Sequence, residues 1–449
     1  MPSSELLLLL VVVLPLLGGA FALVVPAADR LTLRAVGVVT GLLALTAGLA
    51  LLRVPSSSLE LPFASLRFSG VAIPASLVIL GVTPMALRAG APRVSTGLQA
   101  YITAILLAES GALFVVLVDD LVVAMAGAIV AAVPFFALVA LFGGPERGSV
   151  TFRAAGLWLL FDGAALGALI AVERHAGTQA IVVVALLGPG LVRLAAGPHG
   201  LWALPVIEQS PVAAACLMGG LVAPVGAVLL TRAVAVVDAA TLASLVPVLA
   251  GILAVGCAVG GALVVAERDL RRMVAHLLGA LGSVTALIAV CGGPQAALSA
   301  VGLAALTGFT ASLCLMLVEA IERRLETRRT TELAGLLQVA PSLAFLLPLS
   351  FWFLCGLPGV GVAPGLWPAL GLLMRQGTET GAAAAVCGAS LLLAATGCSG
   401  LLIRVGGVPR RHMALIVSVS LQQGIRLLLP VAAVVAASLV HSAVLGAAL

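Results

Sequence analysis

The sequence predicts an all-α polytopic membrane protein of about fourteen transmembrane helices, with inverted repeats whose seventh and twelfth helices are broken. Three observations carry that prediction. Sixty-two per cent of the 449 residues are apolar and only 9% are charged, where a soluble protein carries roughly 25% charged residues. The apolar residues gather in runs close to the roughly 20 residues that a helix needs to cross a hydrocarbon core. All 23 basic residues are arginines, with no lysine anywhere, and they divide unevenly between loops. A water-soluble enzyme is excluded, and no basic stripe points to nucleic acid.

Charges, Gly/Pro clusters and Ser/Thr runs mark out apolar segments near 5–27, 34–52, 70–88, 97–118, 120–142, 154–172, 178–197 and 211–231. Six more follow near 241–266, 273–291, 296–320, 335–356, 380–403 and 412–440, with 364–374 attached to the twelfth. The opening run, Glu5–Ala22, has a glutamate and no arginine ahead of it, so it reads as the first span and not as a signal-peptide core. Residues 55–69 are too short and too polar to span; the alternation in LELPF and SLRFS predicts a small extramembrane hairpin. The whole chain is expected to be one bundle. Its parts are three N-terminal spans (1–95), a first repeat (96–231), a second repeat (232–403) and a C-terminal span (404–449).

With fourteen spans the loops alternate in side, and the arginines sort accordingly. Sixteen fall in one set (Arg30, Arg34, Arg88, Arg93, Arg147, Arg153, Arg268, Arg271, Arg272, Arg323, Arg324, Arg328, Arg329, Arg404, Arg410 and Arg411) and five in the other (Arg53, Arg67, Arg174, Arg232 and Arg375). The positive-inside rule places the larger set in the cytoplasm and both termini on the extracytoplasmic side of the cell (inner) membrane. The seven cysteines show no C-x-x-C spacing, so no metal site, iron–sulfur cluster or other cofactor is expected.

Two apolar segments are interrupted in corresponding places, GPGLVRLAAGPHGLWALP at 188–205 and CGLPGVGVAPGLWP at 355–368. Paired interruptions are the sequence pointer to inverted repeats with a site near the bilayer midplane. Gly/Pro-rich loop entries would look the same.

These segments resemble the antiporter-like membrane subunits of respiratory complex I (NADH:quinone oxidoreductase), of complex-I-related membrane hydrogenases and of multi-subunit cation/proton antiporters. In that family the seventh span carries a lysine, a proline and a Trp–Leu–Pro turn. LVRLAAGPHGLWALPVIEQSP has Arg193 at the lysine place, with Pro198, Trp202, Pro205 and Pro211 in step. AERDLRRMVAHLLGALG (266–282) is similar to the family's span-entry signature through Asp269, Arg271, Arg272, Ala275 and His276. ERRLETRRTTELAGL (322–336) and GLPGVGVAPG (356–365), with Gly356, Pro358 and Pro364, continue the match in the family's order. The resemblance runs from about 55 to 410 and implies a proton-translocating membrane subunit. Its partners would be the lipid bilayer and the other membrane subunits of a redox-driven complex, with no soluble substrate bound directly.

Departures from the family pattern bear on mechanism. Alignment on Asp120 and Pro134 puts Ile129 where the family places a fifth-span glutamate. Leu306 stands at the eleventh-span histidine or lysine place, and Leu366 follows Gly365 where an acidic residue or lysine is expected. Arg193 keeps its charge. A desolvated lysine can release a proton near neutrality, whereas a guanidinium with a pKa above roughly 12 stays charged. The resemblance therefore implies a member of the proton-translocating class with most relay residues lost. Its alternative is a non-conducting structural subunit that seals and organises the membrane arm. An independent secondary transporter is the least supported reading, because the spans are otherwise Ala, Val, Leu and Gly.

The remaining interior polar residues are Glu109 in LLAESGALF and Asp162 in LWLLFDGAAL. One reading joins Glu109, Asp162, Arg193, His199 and Glu208 into a residual hydrophilic pathway. The other makes Arg193 half of a single buried ion pair, with Glu109 or Asp162 as partner, and leaves His199 and Glu208 as solvated turn residues. An unpaired charge at a helix centre costs roughly 2.5–3.5 kcal/mol on insertion scales, so Arg193 requires a partner in either reading. His276 reads as an interfacial residue in preference to a relay member, and Arg426, with Gln422 and Gln423 beside it, as a second intramembrane arginine for which a subunit contact and a pathway role are equally open.

Overall fold

The computed structural model describes residues 4–54, 57–62, 64–173, 180–197, 202–293, 296–357, 359–407 and 434. Within lipid every backbone polar group must be satisfied internally, so long apolar runs fold as helices. They appear in order as α1 (Ser4–Val24), α2 (Arg30–Leu51), α3 (Ala72–Gly90), α4 (Leu98–Leu117), α5 (Leu121–Phe142) and α6 (Arg147–Glu173). The expected hairpin lies between α2 and α3. β1 (Ser57–Leu61) pairs antiparallel with β2 (Ala64–Phe68), Ser57 opposite Phe68. After α6 come α7 (Ala180–Arg193), α8 (Ala203–Gln209), α9 (Val212–Leu217) and α10 (Ala223–Val236). A π-turn at Met218–Val222 joins α9 and α10 into one rod. The second half holds α11 (Ala239–Ala266), α12 (Leu270–Cys291), α13 (Ala296–Leu325), α14 (Leu336–Val339), α15 (Pro341–Leu354), α16 (Ala363–Leu373) and α17 (Thr378–Val405).

Short polar residues at the span boundaries act as helix caps. Asp29 accepts the Thr32 amide at 3.0 Å, Asp120 the Val123 amide at 2.8 Å and Asp238 the Thr241 amide at 2.8 Å. Asp269 caps α12 through the amides of Arg271 and Arg272. A side-chain oxygen at this position satisfies an amide that the helix itself cannot. The paired acids at 119–120 therefore divide their work: Asp120 starts α5, and Asp119 meets Arg67 of the hairpin at 3.4 Å.

Eleven helices among the described residues are long and apolar enough to cross a membrane, and α7, α15 and α16 are shorter apolar helices. The chain leaves helical geometry between Arg193 and Ala203, and again between Leu354 and Ala363. Left-handed backbone at Ala195 and Gly197 marks the first interruption, and at Gly356, Gly359 and Gly361 the second. Pro198, His199 and Pro358 lie outside the described residues, as do the last expected span at 412–440 and Arg426 within it.

Burial orders the bundle. The 212–236 rod, α12 and α13 are almost wholly enclosed, whereas only a third of α1, α2 and α6 is covered. Leu31 on α2 and Phe152 on α6 are 80–81% exposed, and Ile181 at the start of α7 is 74% exposed, an apolar surface suited to lipid or to neighbouring subunits. The loops gather at two ends. At one, the Asp119 amide donates to Ser65 at 2.9 Å, and Arg232 donates to the carbonyls of Val115 and Val116. At the other, Arg30 donates to Ser95, the Gly144 amide to Gln209, and Arg328 to Asp269. Arg93, Arg271, Arg272, Arg323 and Arg404 belong to that second end through partners described below.

Candidate functional site

The bundle interior contains one arginine–carboxylate pair among the described residues, and it is fully enclosed. α7 ends at Arg193, whose guanidinium turns toward α6. There it meets Asp162 in a fork-to-fork arrangement, Nη1 to Oδ1 at 2.6 Å and Nη2 to Oδ2 at 2.8 Å. Both side chains are 2% exposed. Trp158 stands one helical turn before Asp162 on the same face of α6, and its ring lies 4.7 Å from the Arg193 Cζ, a cation–π contact. The remaining donor capacity goes to backbone: Nη1 to the Pro189 carbonyl at 3.2 Å and Nη2 to Ala128 at 3.3 Å. Both terminal nitrogens of the planar guanidinium therefore bond to the carboxylate and to backbone at once.

The sequence builds this pocket from small residues beside large ones. Gly226 on α10 faces Arg193 so closely that a Cβ there would come within 2.7 Å of the arginine Cβ. Gly282 on α12 receives the chain as it leaves α7, and a Cβ there would collide with the Leu194 carbonyl. The Gly197 amide then donates to Ser283 Oγ at 3.0 Å, which anchors the interruption to α12. Phe135 stacks parallel to Trp158 at 5.9 Å, and Phe136 and Trp202 meet that ring edge-on at 4.9 and 5.2 Å. Trp202, from the turn after the interruption, thus closes the aromatic layer over the pair. Beside Arg193 is a cavity of about 20 Å³ lined by Ala132, Leu221, Val222 and Val225 among others, room for about one water.

The places where a relay would need protonatable groups are apolar. Ile129 is half-buried on α5, and its neighbour Ala128 supplies only a carbonyl to the guanidinium. Leu306 is 4% exposed within α13. Leu366 is fully buried on α16 and packs over Gly356 at the second interruption. Pro205 lies in the first turn of α8, and Pro364 opens α16.

The other expected pathway residues do not join the pair. Glu109 is fully buried on α4, and neither carboxylate oxygen makes a hydrogen bond. Its neighbour Thr83 donates instead to the Ile79 carbonyl at 2.9 Å. Around Glu109, Thr103 and Ser110 donate to the carbonyls of Gly19 and Val12, fastening α4 to α1. Glu208 is at the arginine-rich end of the bundle. It is not the solvated turn residue of the second reading: it accepts from Arg272 at 2.9 Å and from Arg328 at 3.3 Å, and its side chain is 18% exposed. His276, expected at an interface, is 4% exposed and lies 3.9 Å from Glu267.

Sequence reasoning missed Glu319. Its carboxylate is 2% exposed near the end of α13 and gathers Arg93 at 2.5 Å, Arg271 at 3.1 Å and Arg323 at 3.3 Å. Arg271 also touches Glu322 at 3.1 Å and the Ser210 carbonyl at 2.9 Å. Arg323 reaches the Ala89 carbonyl and Arg404 the Thr330 hydroxyl. Glu319, Glu322 and Arg323 thus lock α13 to α3 and α12, and Arg404 ties α17 to the loop after α13. No group of three or more His, Cys, Asp or Glu side chains that could hold a metal occurs among the described residues.

Comparison with known proteins agrees with this architecture. The family described as NADH:quinone oxidoreductase/Mrp antiporter, TM, matches residues 109–392. Among curated proteins no match is found. A chain of respiratory complex I from Thermus thermophilus, solved with bound NADH, superposes with a TM-score of 0.79 at 20% identity, covering 96% of this chain and 95% of its own. A chain of the membrane-bound sulfane sulfur reductase, an archaeal respiratory membrane complex, superposes with a TM-score of 0.80 at 17% identity, covering 96% and 75%. At these identities the likeness is one of fold.

Proposed function

Because the chain belongs to the NADH:quinone oxidoreductase/Mrp antiporter transmembrane family, we propose that it is an antiporter-like subunit of a complex-I-like or hydrogenase-type membrane complex whose interior no longer relays protons. The observation that carries this reading is the closed Arg193–Asp162 pair. A relay group must exchange its proton with a neighbour. A guanidinium does not release one at physiological pH, and here both Nη atoms are engaged, each with one Asp162 oxygen and one backbone carbonyl. Asp162 has both oxygens held by that guanidinium, and Trp202 packs edge-on against Trp158 beside it. Ile129, Leu306 and Leu366 interrupt the remainder, since dry apolar steps oppose both water and charge. The subunit then seals and organises the membrane arm between its neighbours.

The same reading takes fourteen crossings, with α7–α8 and α15–α16 each forming one interrupted crossing. The stretch from α4 to α10 starts at the arginine-rich end and the stretch from α11 to α17 at the other, each with its fourth crossing interrupted. That arrangement supports an inverted repeat. The arginine-rich end faces the cytoplasm of the cell membrane, and both termini face out. Single cysteines at Ser149 and Thr327 in a Cys-free background are expected to label from the cytoplasm and one at Ser58 from outside; labelling of 58 and 327 from one side would reject this topology.

Assembly is tested by mass spectrometry of what co-purifies with the chain in mild detergent. Redox subunits in constant ratio are expected. Absence of redox subunits from the material purified directly from the membrane would overturn the proposal.

A further inference from the structure

A crevice of about 530 Å³ opens at the arginine-rich end, between the start of α4, the α5–α6 turn, the α8–α9 turn and the ends of α12 and α13. We propose that it binds a phosphate group, carried by an anionic lipid headgroup or free in solution. Its volume lies within the usual range for small-ligand sites, and three independent features of its wall favour an oxyanion.

The first is charge. Arg93, Arg147, Arg271 and Arg328 line the crevice against Glu208 and Glu322. Both glutamates are already met by guanidiniums, Glu208 by Arg272 and Arg328, and Glu322 by Arg271. Arg147 reaches only the carbonyls of Leu141 and Gly143, at 3.3 and 3.4 Å. Its positive charge is the surplus of the site.

The second is a pair of buried hydroxyls without partners. Tyr101 is 1% exposed and Ser210 is 2% exposed; both line the crevice, and neither Tyr101 Oη nor Ser210 Oγ makes a hydrogen bond. Tyr101 is held by an edge-on contact with Phe142 at 5.0 Å. Gly90 makes room for its hydroxyl, since a Cβ there would lie 2.1 Å from the oxygen. A buried hydroxyl left unpaired is costly, and a bound oxyanion would satisfy both groups at once.

The third is the helix that begins between them. The rod from Val212 to Val236 is 25 residues long, and its N-cap residue, Pro211, gives no side-chain hydrogen bond to the first turn. Ser210, Pro211 and Val212 all line the crevice. The positive end of the helix dipole therefore faces the same space as the two hydroxyls and Arg147, with the Ala213 amide beside the Tyr101 hydroxyl, the arrangement that favours phosphate at helix N-termini. A cation would be opposed by four guanidiniums.

The test uses the full-length chain, delipidated in mild detergent, in two arms. Thermal unfolding is followed while inorganic phosphate is titrated against chloride at matched ionic strength. In parallel, retention of phosphatidylglycerol is compared with that of uncharged diacylglycerol by native mass spectrometry. Tyr101→Phe keeps the ring and removes only the hydroxyl, and Arg147→Gln removes the surplus charge; Arg153→Gln, on the exposed face of α6, is the control. Saturable protection or retention is expected in at least one arm, weakened about tenfold by each crevice variant and unchanged by the control. Protection by phosphate alone assigns a soluble anion, retention of phosphatidylglycerol alone assigns a lipid headgroup, and both together assign a site open to either. Failure of both arms, or binding that neither crevice variant weakens, overturns the proposal.

Discussion

Arg193 in the bundle interior and Arg271 at its end are both buried guanidiniums held by carboxylates, but their surroundings differ. Arg193 has one acidic partner, Asp162, engaged through both oxygens. Arg271 shares Glu319 with Arg93 and Arg323 and also touches Glu322. Glu208 and Asp269 continue the ionic contacts nearby through Arg272 and Arg328. The interior charge ends within its own pair, whereas the charges at the end form a web with exposed members. Ionic contacts that could rearrange are therefore concentrated at the bundle's end, and its centre is electrostatically closed.

Breaking the interior pair is the largest perturbation this contrast predicts. Asp162→Asn leaves a buried guanidinium without its counter-charge and should lower stability by about 3–5 kcal/mol, read as thermal unfolding of the full-length chain in detergent. Asp162→Leu combined with Arg193→Met removes both charges at similar volume and should recover most of that loss. A single variant as stable as wild type would show that the pair is not closed.

At the end of the bundle, Glu319→Gln keeps the shape but removes the charge on which three guanidiniums converge. A loss of about 2 kcal/mol is expected, less than for Asp162→Asn, because Arg93 and Arg323 are partly exposed and can turn to water. Equal losses at the two sites would erase the distinction between them.

The smallest effect belongs to an exposed cap. Hydrogen bonds from the Thr241 amide and hydroxyl hold the Asp238 carboxyl below the usual carboxylate range. A lowered folded-state pKa contributes stability that is present above about pH 4 and lost as pH falls through the folded value. Hydrogen exchange at the start of α11 should therefore quicken in acid, and Asp238→Asn should flatten that dependence.

Most spans were legible in the sequence because bilayer thickness imposes a run length that hydropathy reveals. The hairpin was legible from its alternation, and a partner for Arg193 from the cost of a lone buried charge, which narrowed it to Glu109 or Asp162. The structure chose Asp162, since Trp158 one turn earlier presents an aromatic face to the same guanidinium. That tryptophan gave no signal of its own, because an aromatic in an apolar helix looks like packing or lipid contact. Glu319 was hidden for a similar reason: three residues before ERRLETRR, it reads as the start of a charged loop, and only the approach of α3 and α12 makes it a hub. Nothing local marked the π-turn at Met218–Val222, which comes from packing against α3 and α13.

The central claim is that no proton route survives through the interior. Its most direct test is proton uptake per electron transferred, measured for the intact complex in proteoliposomes. Wild type would be compared with Glu109→Gln and with the Asp162→Leu and Arg193→Met double variant. The closed-pair account predicts an unchanged ratio in both variants, with electron transfer and assembly intact. A large fall in that ratio in either variant, with assembly and electron transfer preserved, would contradict it.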